Sequence, residues 1–370
     1  MPPLAAEWRK IMKKLFTLLL VGIMVFGTLT GCGEKKDSTE LDSTTENPTT
    51  GADETAVTDE TATEDTATTD NTTSTEKFKI GIIQPMDHPS LNQIRETIIS
   101  ELDALGLGDK VEIDFQNANG DGALLPTIMQ DMLSSDVDML VPIATGTAQA
   151  AMAATTTVPI VFSAVSNPVE AGLVTSFEET AGNITGVSNS IPIEDIFALA
   201  AELTPEAKVF GFVYNSSEVN SSAGIERAKA YCDKNGIKYK EATITGTADL
   251  QQAASSLVGE VDAFFTPNDN TVASAMPTYL QIAMDAKLPI YVGADSMVAD
   301  GGLATVGIDY TVLGKQTAEM IARIINGETI ADNHVEQIAE YAKMINMSTV
   351  DQLGLTISDE LKKEFVIIGE

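Results

Sequence analysis

The sequence has few of the side chains that most enzymes and metalloproteins use. Its 370 residues include two histidines, two cysteines and one tryptophan. His88 and His334 lie far apart along the chain, and nothing supplies a third metal ligand near either. Gly-x-Ser-x-Gly, His-Glu-x-x-His and Cys-x-x-Cys motifs are also absent from the sequence. We therefore predict no catalytic residue, no metal site and no cofactor.

Basic residues are also scarce, and their scarcity excludes another class of function. The chain has 22 Lys and Arg against 54 Asp and Glu, which gives a formal net charge of −32. It contains no stripe of basic residues interleaved with aromatic ones, as phosphate binding would require. We therefore predict no nucleic-acid partner.

Residues 1–32 predict a signal peptide. Lys13-Lys14 precede the apolar run Leu15–Phe26, which is too short to span a bilayer comfortably. Leu29-Thr30-Gly31 then precede Cys32, an order that resembles the lipobox of bacterial lipoproteins. We expect Cys32 to carry a lipid, with an uncleaved membrane anchor as the alternative. Lipidation would leave Cys232 without a disulfide partner.

Residues 33–76 predict a disordered acidic tether. This stretch consists almost wholly of Thr, Ser, Asp, Glu, Ala and Asn. Such a composition cannot bury enough apolar surface to offset the entropy of ordering. As a random coil the tether would reach roughly 35–40 Å, so it could hold a folded domain away from a membrane.

The remaining residues predict an α/β fold with two doubly wound parallel-sheet lobes. Helical patterns alternate with apolar runs, as expected of right-handed βαβ units. A length of about 290 residues exceeds what one core usually serves, so we expect two lobes. The predicted strands lie near 79–84, 111–116, 139–144, 159–164, 184–188, 208–214, 238–244, 262–266, 289–293 and 303–308.

Polar turns follow these strands and predict one ligand site. In open α/β sheets, ligands bind outside the carboxyl ends of the strands. At one turn, Thr145 and Thr147 offer hydroxyl groups and backbone amides where a helix begins, which suits a carboxylate. Ser163 can add a donor at the next strand end. Alternatively, the threonines are ordinary helix caps.

Three carboxylates at strand ends are candidates for binding an ammonium group. They are Glu218, Asp269 and Asp295. We expect one or two of them to face the ligand, although Asp also favours turns for local reasons.

Three further residues complete the predicted site. Gln84 and His88 frame the first loop and can reach a ring substituent or a carboxylate, while His88 can equally be a turn residue before Pro89. Tyr214 lies near a strand end and can stack on an aromatic ring, with core packing as the alternative.

The same turns carry a family resemblance, which spans residues 78–370. They resemble the ABC-transporter substrate-binding proteins of the tryptophan/tyrosine type, which are similar to type I periplasmic binding proteins. Asn167 is a departure, since many relatives have Asp before the proline. The segments that carry the resemblance are 79–91, 143–148, 163–174, 186–188, 214–220, 267–271, 301–305, 309–310 and 345–361.

The resemblance implies a particular architecture and role. Two lobes joined by three crossovers, near 188–192, 296–304 and 328–340, would close over a ligand. We expect lobe 1 to contain 77–190 and 304–330, and lobe 2 to contain 191–303 and 331–370. The implied ligand is a small amphipathic molecule, typically an aromatic amino acid, which a monomer on the extracytoplasmic face would deliver to an ABC permease.

Two other classes of function stay open at this point. One is an extracytoplasmic binding protein for another small ligand, such as a nucleoside or a sugar, or a sensor or adhesin with the same fold. The other is a lipoprotein enzyme, against which the missing catalytic residues argue.

Overall fold

The structure, a computed structural model, describes residues 76–180, 182–338 and 341–369. These residues belong to the unit Asn71–Glu370, one of the two into which the chain divides. The predicted signal peptide, the lipidation site at Cys32 and all of the predicted tether except Glu76 lie outside the described residues. Within these ranges, no helix is both long and apolar enough to cross a bilayer.

The first sheet is wholly parallel and has six strands in the order β2-β1-β3-β4-β5-β11. Ile80, Ile82 and Ile83 on its β1 strand are completely buried, as expected for a strand covered on both faces. The strands are β1 (Phe78–Gln84), β2 (Val111–Asn117), β3 (Met139–Pro142), β4 (Ile160–Ser163), β5 (Ile184–Ser188) and β11 (Glu336–Gln337).

The second sheet has seven strands in the order β7-β6-β8-β9-β10-β12-β13. All neighbours are parallel except β10 and β12, which are antiparallel. The strands are β6 (Val209–Asn215), β7 (Lys238–Ile244), β8 (Ala263–Thr266), β9 (Ile290–Val292), β10 (Ala304–Gly307), β12 (Ala342–Asn346) and β13 (Phe365–Ile368).

Helices connect the strands and cover the sheets. In lobe 1 the helices over residues 89–104 and 310–325 pack closely, which Gly314 permits. A Cβ at Gly314 would lie only 2.7 Å from Thr97 Cβ. The helices are α1 (Pro89–Ala104), α2 (Leu125–Ser134), α3 (Thr145–Ala154), α4 (Ile193–Leu203), α5 (Val219–Asn235), α6 (Leu250–Leu257), α7 (Asn270–Ser274), α8 (Met276–Asp285), α9 (Asp295–Ala299), α10 (Tyr310–Ile325), α11 (Met347–Leu353) and α12 (Asp359–Lys362).

The predicted α/β fold with two doubly wound lobes is confirmed. The lobe boundaries differ from the expected ones at two segments. Strand β10 pairs with β9 and β12 of the second sheet, so the chain crosses to lobe 1 after Gly307 and not before Ala304. Strand β11 pairs with β5 of the first sheet, so lobe 1 extends beyond the expected limit at 330, as far as Gln337.

Candidate functional site

A cavity lies between the two lobes, where turns that follow the strands of both sheets meet. It is called here the inner cavity. Leu91, Ala273, Ala294 and Met297 give it apolar walls, and the ring of Tyr310 adds an aromatic surface. Its polar lining is His88, Ser90, Ser166, Asn189, Asn220, Asn268, Asp269 and Asn270. A cavity with this mixed lining has the chemistry that suits a small amphipathic ligand.

A second space, called here the adjoining cavity, continues from the inner one. It shares Ser166, Asn220 and Asn268 with the inner cavity. Thr145 and Arg227 line only the adjoining cavity, while His88 lines only the inner one. The two spaces therefore form one elongated site with chemically different ends.

Hydrogen bonds join the lobes across this site. Asn268 Nδ2 of lobe 2 donates to Ser166 Oγ of lobe 1 over 2.8 Å. His88 Nε2 and Asn270 Oδ1 lie 3.3 Å apart, and the hydroxyl groups of Ser90 and Ser296 also pair. The structure thus shows the closed arrangement of the two lobes.

The amino terminus of α3 gives the site a group of hydrogen-bond donors. The helix begins at Thr145 without a side-chain cap, so its first-turn amides are free of such a partner. Thr145 is 3% exposed and its hydroxyl has no hydrogen-bond partner. In contrast, the Thr147 hydroxyl donates to the carbonyl oxygens of Ile143 and Ala144. Of the two predicted threonines, only Thr145 has a hydroxyl left for a ligand.

Two carboxylates form a satisfied wall in lobe 2. Asp269 is 1% exposed, and it accepts hydrogen bonds from the amides of Asn215 over 2.6 Å and Val272 over 2.8 Å. The latter bond caps α7. Burial, reinforced by the charge of Glu218, raises the pKa of Asp269. This carboxylate therefore organises its own lobe.

The Glu218 carboxyl group is also hydrogen-bonded by groups of lobe 2. Its carboxylate accepts hydrogen bonds from the backbone amides of Asn270 and Thr271. The Asn270 side-chain amide and the Thr271 hydroxyl also donate to it, each over 2.7 Å. All of these partners belong to lobe 2, so the Glu218 carboxyl group is bound within its own lobe.

Four other predicted residues line neither cavity. Gln84 Nε2 donates to Asn92 Oδ1 over 2.9 Å, and the Ser163 hydroxyl pairs with that of Thr317 at 2.8 Å. Tyr214 OH donates to Glu241 Oε2 over 3.0 Å. Asp295 accepts a hydrogen bond from the Ser296 amide, and burial raises the pKa of Asp295 to about 6.

Strand geometry explains the position of Tyr214. Successive side chains on a strand point to opposite faces, so Tyr214 and Asn215 cannot both turn the same way. The Tyr214 ring packs in the core of lobe 2, where Phe197, Phe210 and Phe265 also lie. The expected stacking partner therefore belongs to the core and not to the cleft.

The structure adds residues that the sequence reasoning did not select. The side-chain amides of Asn189, Asn220, Asn268 and Asn270 line the inner cavity together with the Ser166 hydroxyl. Asn268 and Asn270 flank Asp269 in a turn that the sequence predicts to lie at the ligand site. Asp269 is selected there because an ammonium group favours a charged partner. The flanking amides were therefore a signal that could have been used.

A two-lobed α/β protein with a partly apolar, amide-rich cavity between the lobes belongs to the class of ligand-binding proteins that close on their ligands. Residues 79–366 match the family model of the ABC transporter substrate binding proteins. The chain belongs to this family, which confirms the resemblance seen in the sequence. Members of the family act outside the cytoplasm and bind small molecules for an ABC transporter.

Several relatives bear on the ligand and on the closed state. The tyrosine-binding protein of Clostridioides difficile (strain R20291) is 34% identical over 345 residues, which cover 93% of each chain. An ABC domain from Streptococcus pneumonia, solved in complex with L-Trp, is 35% identical with a TM-score of 0.77, over 79% of this chain and all of that one.

The third comparison is with an open protein. A substrate binding protein with adhesive properties from Clostridium difficile, solved in a ligand-free, open structure, is 36% identical over 79% of this chain and 99% of that one. Its TM-score is 0.61. At nearly equal identity and coverage, the present structure is therefore more similar to the L-Trp complex than to the open protein.

Proposed function

We propose that this protein binds a free L-amino acid with an aromatic side chain, namely tyrosine, tryptophan or phenylalanine, and delivers it to an ABC permease. The observation that carries the proposal is the pair of relatives named above, one a tyrosine-binding protein and the other solved with L-Trp. The inner cavity supports it, because apolar walls suit an aromatic ring while amides and hydroxyls suit the polar groups of an amino acid.

The carboxylate of the ligand would bind at the adjoining cavity. Thr145 provides an unpartnered hydroxyl, and the amino terminus of α3 provides amides and the positive end of a helix dipole. Arg227 lines the same cavity and adds a positive charge. Arg227 is also paired with Glu194, and Glu170 lines the same cavity, so the donors of Thr145 and α3, and not a net positive charge, would hold the anionic group.

The ammonium group would bind where the two cavities join. Asn220 and Asn268 line both cavities and have side-chain carbonyl oxygens that can accept hydrogen bonds. The carboxyl groups of Glu218 and Asp269 lie behind them and make this wall acidic, although their hydrogen bonds are made within lobe 2 and burial raises the pKa of Asp269. The asparagine side chains would hydrogen-bond the ammonium group directly, whereas the two carboxyl groups would attract it electrostatically without touching it.

Titration calorimetry with the three aromatic amino acids tests the proposal, with nucleosides and sugars as the alternative ligands. We expect micromolar or tighter binding of at least one aromatic amino acid. In a Trp8→Phe chain, added tryptophan is the only indole, so a blue shift of its fluorescence would report its burial directly. Binding of a nucleoside or sugar without any aromatic amino acid would contradict the ligand assignment, while transport could still be the role.

A role in adhesion is the second candidate, because one relative is a substrate binding protein with adhesive properties. Uptake requires that the cavity bind the amino acid, whereas adhesion through an outer surface does not. Adhesion through an outer surface would survive Thr145→Val, whereas uptake of the amino acid would decrease. Measuring cell attachment and amino-acid uptake with this one variant separates them.

We also propose that the protein is a monomer held at the membrane by a lipid on Cys32. The support is the order of basic, apolar and small residues in 13–32. Cys32→Ser should release the protein or leave unprocessed precursor, whereas the control Cys232→Ser should not. Unchanged lipid labelling of Cys32→Ser would contradict the anchor, and sedimentation of the released chain tests the monomer.

A further inference from the structure

His88 is a buried polar residue whose second ring nitrogen has no assigned partner. It is 6% exposed and lines the inner cavity just before α1. Its Nε2 lies 3.3 Å from Asn270 Oδ1, while its Nδ1 is buried without any hydrogen-bond partner. Buried polar atoms normally have partners, so an unpartnered ring nitrogen on a residue that lines the cavity makes the ligand a candidate partner.

The hydrogen-bond network assigns the tautomer of His88. Asn270 Nδ2 donates to Glu218 Oε2 over 2.7 Å, which turns Asn270 Oδ1 toward His88. Because Oδ1 can only accept, His88 Nε2 must carry the proton. Burial lowers the pKa of His88, so the ring is neutral at pH 7. Nδ1 is therefore a hydrogen-bond acceptor with no donor.

The position of His88 identifies the part of the ligand that it would meet. Thr145, where the carboxylate is placed, lines only the adjoining cavity, and His88 lines only the inner one. Asn220 and Asn268, placed at the ammonium, lie between these ends. Around His88 the inner cavity has apolar walls that include Leu91 and Met297. The far end of the ligand is its side chain.

We propose that His88 is a specificity-determining residue whose Nδ1 accepts a hydrogen bond from the polar edge of the ligand's ring. The donor would be the phenol O–H of tyrosine or the indole N–H of tryptophan. Phenylalanine offers no such donor and would leave Nδ1 buried and unpaired. The inference rests on the proposed function and narrows its ligand class to aromatic amino acids that carry a ring donor.

Calorimetry on the full-length wild-type chain provides the first test. We expect tyrosine or tryptophan to bind at least about tenfold more tightly than phenylalanine, because an unsatisfied buried acceptor is costly. O-methyltyrosine and 1-methyltryptophan, which lack the donor, should lose the same advantage. If phenylalanine binds as tightly as both of the others, the inference is wrong while the proposed function stands. If none of the three binds, the proposed function itself fails.

Two amide substitutions separate the roles of the two ring nitrogens. His88→Gln can still donate to Asn270 from the position of Nε2 but has no acceptor at the position of Nδ1. It should weaken tyrosine or tryptophan by about tenfold and leave phenylalanine unchanged. His88→Asn can place its carbonyl oxygen near the Nδ1 position and should keep part of the discrimination.

The control is the other histidine of the chain, the exposed His334, for which His334→Gln should change nothing. Thermal unfolding of each variant without ligand reports whether it is folded. If a folded His88→Gln protein loses affinity for all three amino acids equally, His88 supports lobe closure in general, and its assignment to the ring donor is overturned.

Discussion

The two lobes line the same cleft with different chemistry. On the lobe 1 side, Thr145 Oγ1 and His88 Nδ1 are buried with no hydrogen-bond partner. On the lobe 2 side, Glu218 and Asp269 accept hydrogen bonds from their own lobe. The lobe 1 wall thus has neutral polar atoms that are free to bind a ligand. The carboxyl groups of the lobe 2 wall are already hydrogen-bonded within their own lobe.

The cost of burial explains this division. A buried charge without partners is very unfavourable, so carboxylates that line a closing cleft must be satisfied by their own lobe. An unpartnered neutral hydroxyl or imidazole costs only about 1–3 kcal/mol, which a ligand can recover on binding. We infer that lobe 2 fixes the shape of the site and holds the ammonium group through neutral amides, and that lobe 1 contacts the carboxylate and the ring of the ligand.

Asp269→Ala should have the largest effect, and the effect should be on stability. It would leave the buried amides of Asn215 and Val272 without acceptors and remove the cap of α7. We expect the free energy of unfolding to fall by about 2–4 kcal/mol, measured by urea denaturation.

A matched control for this prediction is the exposed Asp131 in α2. Asp131→Ala should stay within about 0.5 kcal/mol of the wild type. If Asp269→Ala keeps its stability but loses tenfold or more in affinity, then Asp269 contacts the ligand directly, and the division of labour between the lobes is wrong.

Thr145→Val should show the opposite behaviour. The substitution removes a hydroxyl that has no partner in the protein, so the free energy of unfolding should be unchanged or slightly higher. The dissociation constant of the amino acid should rise about tenfold, or 1.4 kcal/mol, because a contact to its carboxylate is lost. Calorimetry and urea denaturation on one preparation measure both quantities.

Thr147→Val is the neighbouring control. The Thr147 hydroxyl is bonded within lobe 1, so its loss should lower the free energy of unfolding by about 1 kcal/mol. The affinity should stay the same. An equal loss of affinity in both variants would mean that the turn as a whole, and not the Thr145 hydroxyl, holds the ligand.

Much of this fold could be predicted from sequence because its strands are local apolar runs. The alternation of strands and helices from β1 to β10 follows from such runs and from the polar turns between them. Strand β11, Glu336–Gln337, has no apolar run at all and exists because β5 offers it a partner. Strands β12 and β13 were also missed, and the pairing of β10 with β12 decides where the chain returns to lobe 1.

The site was harder to predict because its hydrogen bonds are long-range. The turns were identified, but whether a side chain faces the ligand or its own lobe depends on distant partners. Asp269 is bound by the amide of Asn215, 54 positions earlier in the chain. Ser163 is bound by Thr317, 154 positions later. No local pattern shows that these groups are already occupied.

Acid should weaken ligand binding through His88. In the open form His88 should titrate near its ordinary pKa of 6.5, whereas burial in the closed form lowers its pKa. The closed form thus binds fewer protons, so acidification favours opening. Below about pH 6.5 the dissociation constant should rise, by at most about tenfold per pH unit for one proton.

Charged groups near His88 also titrate and must be separated from it. Glu218 of lobe 2 and Asp87 of the first loop act on His88, and Asp269 lines the same cavity. His88→Gln keeps all three carboxylates, so the difference between its pH profile and that of the wild type isolates the imidazole. Parallel profiles would show that the carboxylates and not His88 cause the dependence.

The smallest expected effect concerns a contact between the lobes that involves no ligand. The hydroxyl groups of Ser90 in lobe 1 and Ser296 in lobe 2 form a hydrogen bond, and both residues are buried. Ser296→Ala would remove this bond from the closed form only. A net loss of about 0.5–1 kcal/mol from the closed form should weaken binding two- to fivefold without changing which amino acids bind.

A double-mutant cycle shows whether this contact acts as a pair. Ser90→Ala should cost about as much as Ser296→Ala, and the double variant should cost little more than either, because each single change already breaks the bond. Small-angle scattering at subsaturating ligand should show a larger open fraction in all three variants. Fully additive losses would mean that the two hydroxyls act separately, and that lobe closure depends on the ligand contacts of lobe 1 and not on direct bonds between the walls.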